Sequence, residues 1–180
     1  MFGGLAWLFP SKYFRECIKC EKIRYMHVDA HEIFWVVILI LLLASSGCSS
    51  NCLFFTYLVL IIVIYRLVDI FQSWVSQFIL MKDWIPADIN RSLVLVFMGY
   101  FEIIVSYAIF YYIGQDNICK SFSSVWQSFY YSVSTATMIG SDIWKPMKLW
   151  GYATFITQIM FAVLFLTVVV QNIVGRKDKK

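Results

Sequence analysis

The chain has 180 residues, 61% apolar and 14% charged, with a formal net charge of +4 and a mean hydropathy of +0.72. Soluble domains are about 45–50% apolar and about 25% charged, so a water-soluble globule is excluded and lipid must be part of the solvent. The small net charge gives no basis for a nucleic-acid partner.

In chain order, residues 1–10 are apolar but short. A charged stretch follows them rather than a small-residue cleavage site, so they do not read as a cleaved signal peptide. Residues 1–27 are expected to be a basic cytoplasmic segment. Cys17, Cys20, His27 and His31 are spaced Cys-x2-Cys-x6-His-x3-His, which offers zinc-ligand residue types with a helical histidine pair. The central spacer is much shorter than the usual dozen or so residues. A basic juxtamembrane helix with free or palmitoylated thiols is therefore favoured over a zinc site.

Four apolar stretches follow. A bilayer core of about 30 Å needs about 20 helical residues. Residues 33–44 reach a span's length with their flanks, and residues 53–65 form a second, short span. A small polar turn over residues 45–51 joins the two as a hairpin. Residues 67–79 place apolar groups at Leu67, Ile70, Phe71, Trp74 and Phe78, with Asp69, Gln72, Ser73 and Gln77 opposite. That periodicity has one wet side, and we expect the second helix to bend there and lie along the membrane surface as far as Trp84-Ile85-Pro86. A single long helix is the alternative. Residues 28–91 are thus expected to be a peripheral hairpin plus an interfacial amphipathic linker.

Residues 92–174 are expected to be the pore domain and contain the two longest apolar stretches, 93–113 and 150–174. Glu102 falls about nine residues into the first of these, about 14 Å deep at 1.5 Å per residue. An ionisable group at that depth is expected to be paired or to face water. Arg66, in the inner part of the second span, is its candidate partner. A snorkelling Arg66 and a pore-facing Glu102 are the alternatives.

Twelve of the fifteen basic residues lie before the first span, between the second and third, or in the tail at 175–180. The other three, Lys120, Lys145 and Lys148, lie between the third and fourth. The positive-inside rule then puts both termini in the cytoplasm. It also keeps the sequon Asn90-Arg91-Ser92 inside and unglycosylated. On the outer side, Cys48, Cys52 and Cys119 are candidates for one disulfide, Cys48–Cys52 or either of them with Cys119.

The segment 114–149 is long for a loop, and a long connection is functional or disordered in most domains. Residues 122–136 set Val125, Trp126, Phe129, Tyr130 and Val133 at helical spacing after Ser121 and Ser123 as caps, and are too short to cross lipid. A helix that enters and turns back exposes backbone at its tip, which survives only in a wet or protein-lined place. The expected geometry is a half-helix whose negative C-terminal end points inward, followed by an extended strand offering carbonyls to a cation.

The run Tyr130-Tyr131-Ser132-Val133-Ser134-Thr135-Ala136-Thr137-Met138-Ile139-Gly140-Ser141-Asp142 resembles the pore helix and filter of potassium-channel-like tetrameric cation channels, whose signature is roughly W-W-S-V-x-T-x-T-T-V-G-Y-G-D. The resemblance covers residues 122–174, with the third span as outer helix. It implies a filter of Thr137, Met138, Ile139, Gly140, Ser141 and Asp142, a homotetramer in a lipid bilayer, and permeating K⁺ and Na⁺, with no cofactor required. The filter departs from the family's T-V-G-Y-G, because the second glycine and the bracing aromatic are absent and Met138 stands in place of a threonine. It looks more like the shortened filters of weakly selective channels. A strand with fewer glycines is less free to turn its carbonyls onto one axis. Four copies of Asp142 would form an acidic ring favouring cations and Ca²⁺. The alternative for Asp142 is a brace hydrogen-bonded to Trp126 or a tyrosine.

In the last span, Thr154, Thr157, Gln158, Phe161, Phe165 and Val168, followed by Gln171 and Asn172, share a stripe at three-to-four spacing. They are expected to line the pore, with helix packing as the alternative. The reading is an all-α integral membrane protein with four transmembrane helices and a re-entrant pore helix, most naturally in the plasma membrane. The resemblance implies a weakly selective cation channel, and an enzyme is not expected because no catalytic grouping shares a common depth. A K⁺-selective channel with an atypical filter and a non-conducting scaffold or regulatory subunit stay open, as does an accessory subunit. The first two spans lack repeated arginines, so steep voltage gating is not expected.

Overall fold

The computed structural model describes residues 21–48, 53–80, 89–118 and 121–174, and all of the described secondary structure is helical apart from one isolated bridge between Ile118 and Pro146. The helices are α1 (Glu21–Cys48), α2 (Leu53–Leu80), α3 (Ile89–Ile113), a 3₁₀ turn (Gln115–Asn117), α4 (Val125–Ala136) and α5 (Leu149–Val174). Segments long and apolar enough to cross a membrane are Asp29–Gly47, Leu53–Val75, Leu93–Ile113 and Leu149–Val170. The basic segment through Cys20, the Trp84-Ile85-Pro86 stop, Cys52, Cys119 and the tail at 175–180 lie outside the described residues. So do the side chains of His27, Cys48, Asn90, Arg91, Ser92, Gln171 and Asn172.

α3 is the central element. It packs against α1, α2, α4 and α5, and every residue from Glu102 to Ile109 is buried. A helix apolar on all sides is one that is surrounded. Lipid tails are as apolar as leucine, so the bundle is held by close packing and internal polar bonds rather than by escape from water. The aromatic set around Phe165 shows the packing. Its ring stacks on Tyr100 at 4.0 Å between centroids and 11° between planes, with Phe97 at 5.3 Å and Trp74 at 5.9 Å.

α2 differs from the sequence expectation. It runs as one unbroken 28-residue helix through Leu80, the single long helix that was the alternative. Of the apolar side of the expected interfacial linker, Leu67, Ile70 and Trp74 are buried in the core, while Phe71 is exposed. Asp69, assigned to the wet side, is also buried, because Arg66 one turn earlier binds it. Helical periodicity identifies the faces of α2 but not what covers each of them.

Candidate functional site

α4 lies between α3 and α5 and is tied to both at a single serine. Ser132 Oγ donates to the Ile104 carbonyl of α3 at 2.7 Å. From α5, Gln158 Nε2 donates to Ser132 Oγ and to the Ser132 carbonyl, both at 2.9 Å. Gln158 Oε1 in turn accepts from Tyr111 OH of α3 at 2.7 Å. Gln158 is only 1% exposed, so this amide meets its hydrogen-bonding needs entirely within the protein. At the far end of α4, Tyr100 OH donates to the Ala136 carbonyl at 2.8 Å. The start of α4 is held differently from the expected caps. Ser124 is the N-cap and makes no side-chain cap bond, while Gln127 Oε1 accepts from the Ser123 backbone N–H at 2.9 Å. Ile118 and Pro146 pair across the base of the loop.

The residues after α4 form a turn rather than the expected extended strand. Met138 N–H donates to Thr135 O at 3.0 Å, and Ile139 N–H to Ser134 O at 3.1 Å. These are the two bonds of a Schellman cap, and Met138 occupies its left-handed position at φ 60°, where glycine is usual. Gly140 also donates to Ser134 O at 3.1 Å and has φ 77°. No peptide bond here is cis. In a trans peptide N–H and C=O point in opposite directions. Three successive N–H groups turned back onto the helix end therefore send the carbonyls of Thr137, Met138 and Ile139 away from it. Thr137 Oγ1 donates to Val133 O at 2.9 Å and so does not point outward as a donor. Met138, Ile139 (83% exposed) and Asp142 are exposed, and Ser141 Oγ accepts from the Ile143 and Trp144 N–H groups at 3.3 and 3.4 Å.

Gly140→Ala isolates the backbone requirement, since a β-carbon there would meet nothing within 4 Å. The expected result is a loss of about 1–2 kcal/mol from left-handed strain alone. Met138→Gly should gain about 1 kcal/mol. Thermal unfolding of the two variants in one detergent checks both signs.

The expected stripe on α5 divides. Gln158, Phe165 and Val168 are buried against the protein's own helices. Thr157 and Phe161 line an apolar groove of about 350 Å³ between α2 and α5 with Ile64, Phe71 and Met160. Thr154 is half-buried, its hydroxyl donating to Trp150 O. The faces of an apolar helix look alike in sequence, and the hydrogen bond from Gln158 to Ser132 selects which one turns inward.

A second polar cluster sits among α1, α2 and α3. Arg66, 1% exposed, spreads its guanidinium over three carboxylates. Nε donates to Glu102 Oε2 at 2.6 Å, Nη1 to Asp69 Oδ2 at 2.7 Å, and Nη2 to Glu32 Oε2. Its Cζ lies 5.3 Å from the Trp35 ring centroid, within cation–π range. The structure thus brings Arg66 and Glu102 together and adds Glu32 and Asp69. The signal for these two was their position: each is an acid inside an apolar segment. Beside the cluster, His31 Nε2 accepts from Trp35 Nε1 at 3.0 Å. That nitrogen is not open to zinc, and Cys17, Cys20 and the side chain of His27 lie outside the described residues. Among the described residues no three His, Cys, Asp or Glu side chains form a metal-binding group.

Fold and site together define an all-helical protein with four helices suited to cross a membrane and a short fifth helix held among them. The chain matches no protein-family model, no curated protein and no solved structure.

Proposed function

We propose that the chain is the pore-forming subunit of a homotetrameric cation channel, weakly selective between K⁺ and Na⁺ and open to Ca²⁺, with both termini cytoplasmic and the plasma membrane as its site. The observation that carries this reading is the C-terminal end of α4. The Ala136 carbonyl accepts from Tyr100, thirteen residues or about 20 Å of helix from the end of α3 at Ile113. The twelve residues of α4 cover about the same distance, as a helix entering beside the end of α3 and stopping near mid-bilayer would. Its tip turns three carbonyls outward at the negative end of the helix dipole, an environment that favours a cation.

One loop supplies a quarter of a filter, so cyclic fourfold closure is required. The uncovered face of α4, with Trp126 and Tyr130 one turn apart, is the natural contact with the neighbouring subunit. The cavity wall is assigned instead to the uncovered face of α5, which carries Ile156, Val163, Thr167 and Val170 at spacings of seven, four and three. Exposed Asp142 remains the candidate for the acidic ring.

Planar-bilayer recording of the purified protein under bi-ionic K⁺/Na⁺ conditions tests the reading. The expected reversal potential lies near zero. Asp142→Asn should lower cation conductance at low ionic strength by about tenfold, and less at high salt, where the ring is screened. A tetrameric particle with no current would favour a scaffold, and a monomeric one would remove the pore altogether.

A further inference from the structure

The Arg66 cluster contains one positive and three negative groups. If all were ionised it would carry a net charge of −2 at a depth where a single unpaired charge already costs several kcal/mol. The Glu102 carboxyl is completely buried, and only one of its oxygens is used. Oε2 receives the Arg66 Nε hydrogen, while Oε1 is buried with no hydrogen-bond partner. The guanidinium cannot serve it, because its fork is already spread over Asp69 and Glu32. What stands beside Glu102 instead is the Glu32 carboxyl, which accepts from Nη2 of the same guanidinium whose Nε serves Glu102. Two ionised carboxylates on adjacent nitrogens of one guanidinium have no hydrogen to share and repel each other.

The other groups facing Glu102 do not correct the balance. α1 brings Glu32 and His31, and α2 brings Arg66 and Asp69. His31 takes the Trp35 N–H on Nε2, which leaves it the neutral tautomer protonated on the other nitrogen. α4 and α5, which pack on the remaining sides of α3, contain no charged residue.

We propose that Glu102 is a proton-binding site: it holds a proton on Oε1, taken up from water, so that a neutral acid rather than a second carboxylate faces Glu32. The proton lowers the net charge of the cluster to −1 and gives the orphan oxygen a hydrogen to donate. Glu32, the one member of the cluster with appreciable exposure at 19%, marks the side from which the proton arrives. A divalent metal is the wrong ligand, because the guanidinium occupies the centre that a cation would need. Whether or not the assembled protein conducts ions, this proton joins α1 to the central helix. Loss of the proton at alkaline pH restores the repulsion between Glu32 and Glu102 and loosens α1. The stability contributed by this proton is therefore full below the pH at which an ordinary glutamate ionises, and it falls as pH rises through neutrality until the buried carboxyl has itself lost the proton.

The test is infrared spectroscopy of the full-length protein in lipid nanodiscs, with its four glutamates carbon-13 labelled so that they separate from aspartates. The expected result is a neutral-carboxyl band from glutamate at neutral pH, lost on alkaline titration and absent in Glu102→Gln. The thermal stability of Glu102→Gln, permanently neutral at this position, should also be flat over the pH range in which the wild type weakens. Absence of a neutral glutamate band in the wild type overturns the proposal. So does a band that survives in Glu102→Gln and disappears in Glu32→Gln, which would put the proton on the other partner. Should Glu102→Gln fail to fold, the wild-type titration alone still decides whether a neutral glutamate exists, and Glu32→Gln whether it is Glu32.

Discussion

Arg66→Leu is expected to abolish the folded protein rather than weaken it. The substitution leaves Glu32, Asp69 and Glu102 around a vacated guanidinium position, all at the depth of apolar spans. Removing one partner from a buried ion pair costs about 3–5 kcal/mol, because the remaining charge is stranded. Here three buried acids lose their common partner at once, two of them as carboxylates. Arg66→Lys should recover little, since a lysine ammonium is a compact point charge and lacks the planar fork that reaches three separate acids. The measurement is the yield of a monodisperse particle after detergent extraction. Arg66→Leu combined with Glu102→Gln and Glu32→Gln should recover part of that yield, because the triple variant removes most of the uncompensated charge. Full yield from Arg66→Leu alone would mean that the cluster contributes nothing to folding.

Gln158→Leu is expected to have the second largest effect. The side chain makes three of the hydrogen bonds that hold α4 between its neighbours: two to Ser132 and one from Tyr111. Side-chain hydrogen bonds between membrane helices average about 0.6 kcal/mol and reach about 1.7. Loss of all three, with the Tyr111 hydroxyl left without its acceptor, should cost about 2–4 kcal/mol. The network reading makes a sharper demand than size. Tyr111→Phe and Gln158→Leu together should cost less than the sum of the two alone, because each removes the same Tyr111–Gln158 bond. A double-mutant cycle on thermal unfolding measures that coupling. Strict additivity would mean that Gln158 acts through packing. If the α4 turn is a filter, current should also fail in Gln158→Leu at temperatures where the particle is still intact.

Much of the architecture was legible in sequence because it follows from lengths and periods. A helix must present about 20 apolar residues to span lipid, and residues 93–113 satisfied that count without further information. The short helix α4 was legible for the opposite reason: residues 122–136 are helical in period but too short and too rich in hydroxyl groups to cross. Glu102 stood out as a charge at an expensive depth, and Arg66 was the cation available at a similar depth. Asp69 was missed because it was placed on the wet side of an interfacial linker, and Glu32 because it sits just ahead of the apolar run 33–44. The distinction between a wet face and a face covered by another helix depends on residues more than thirty positions away.

The turn after α4 shows the same limit at shorter range. Gly140 identified a position able to adopt positive φ, but the residue in the left-handed cap position is Met138, which no propensity selects. That conformation is maintained by hydrogen bonds from Met138, Ile139 and Gly140 back to the helix end, in a segment anchored below by Tyr100 and Gln158.

By itself, then, the order of residues determined that this chain lives in lipid, how many long helices it makes, and that a short hydroxyl-rich helix interrupts the last two. Those properties depend on local composition and on the length of a bilayer, and neither requires knowledge of the neighbours. Only the tertiary structure decided which stripe of α5 turns inward, that α2 continues unbroken to Leu80, and that one arginine serves three acids. These are choices among faces of nearly equal hydrophobicity. In lipid the apolar effect does not discriminate between them, and the few polar bonds that do are formed between distant parts of the chain.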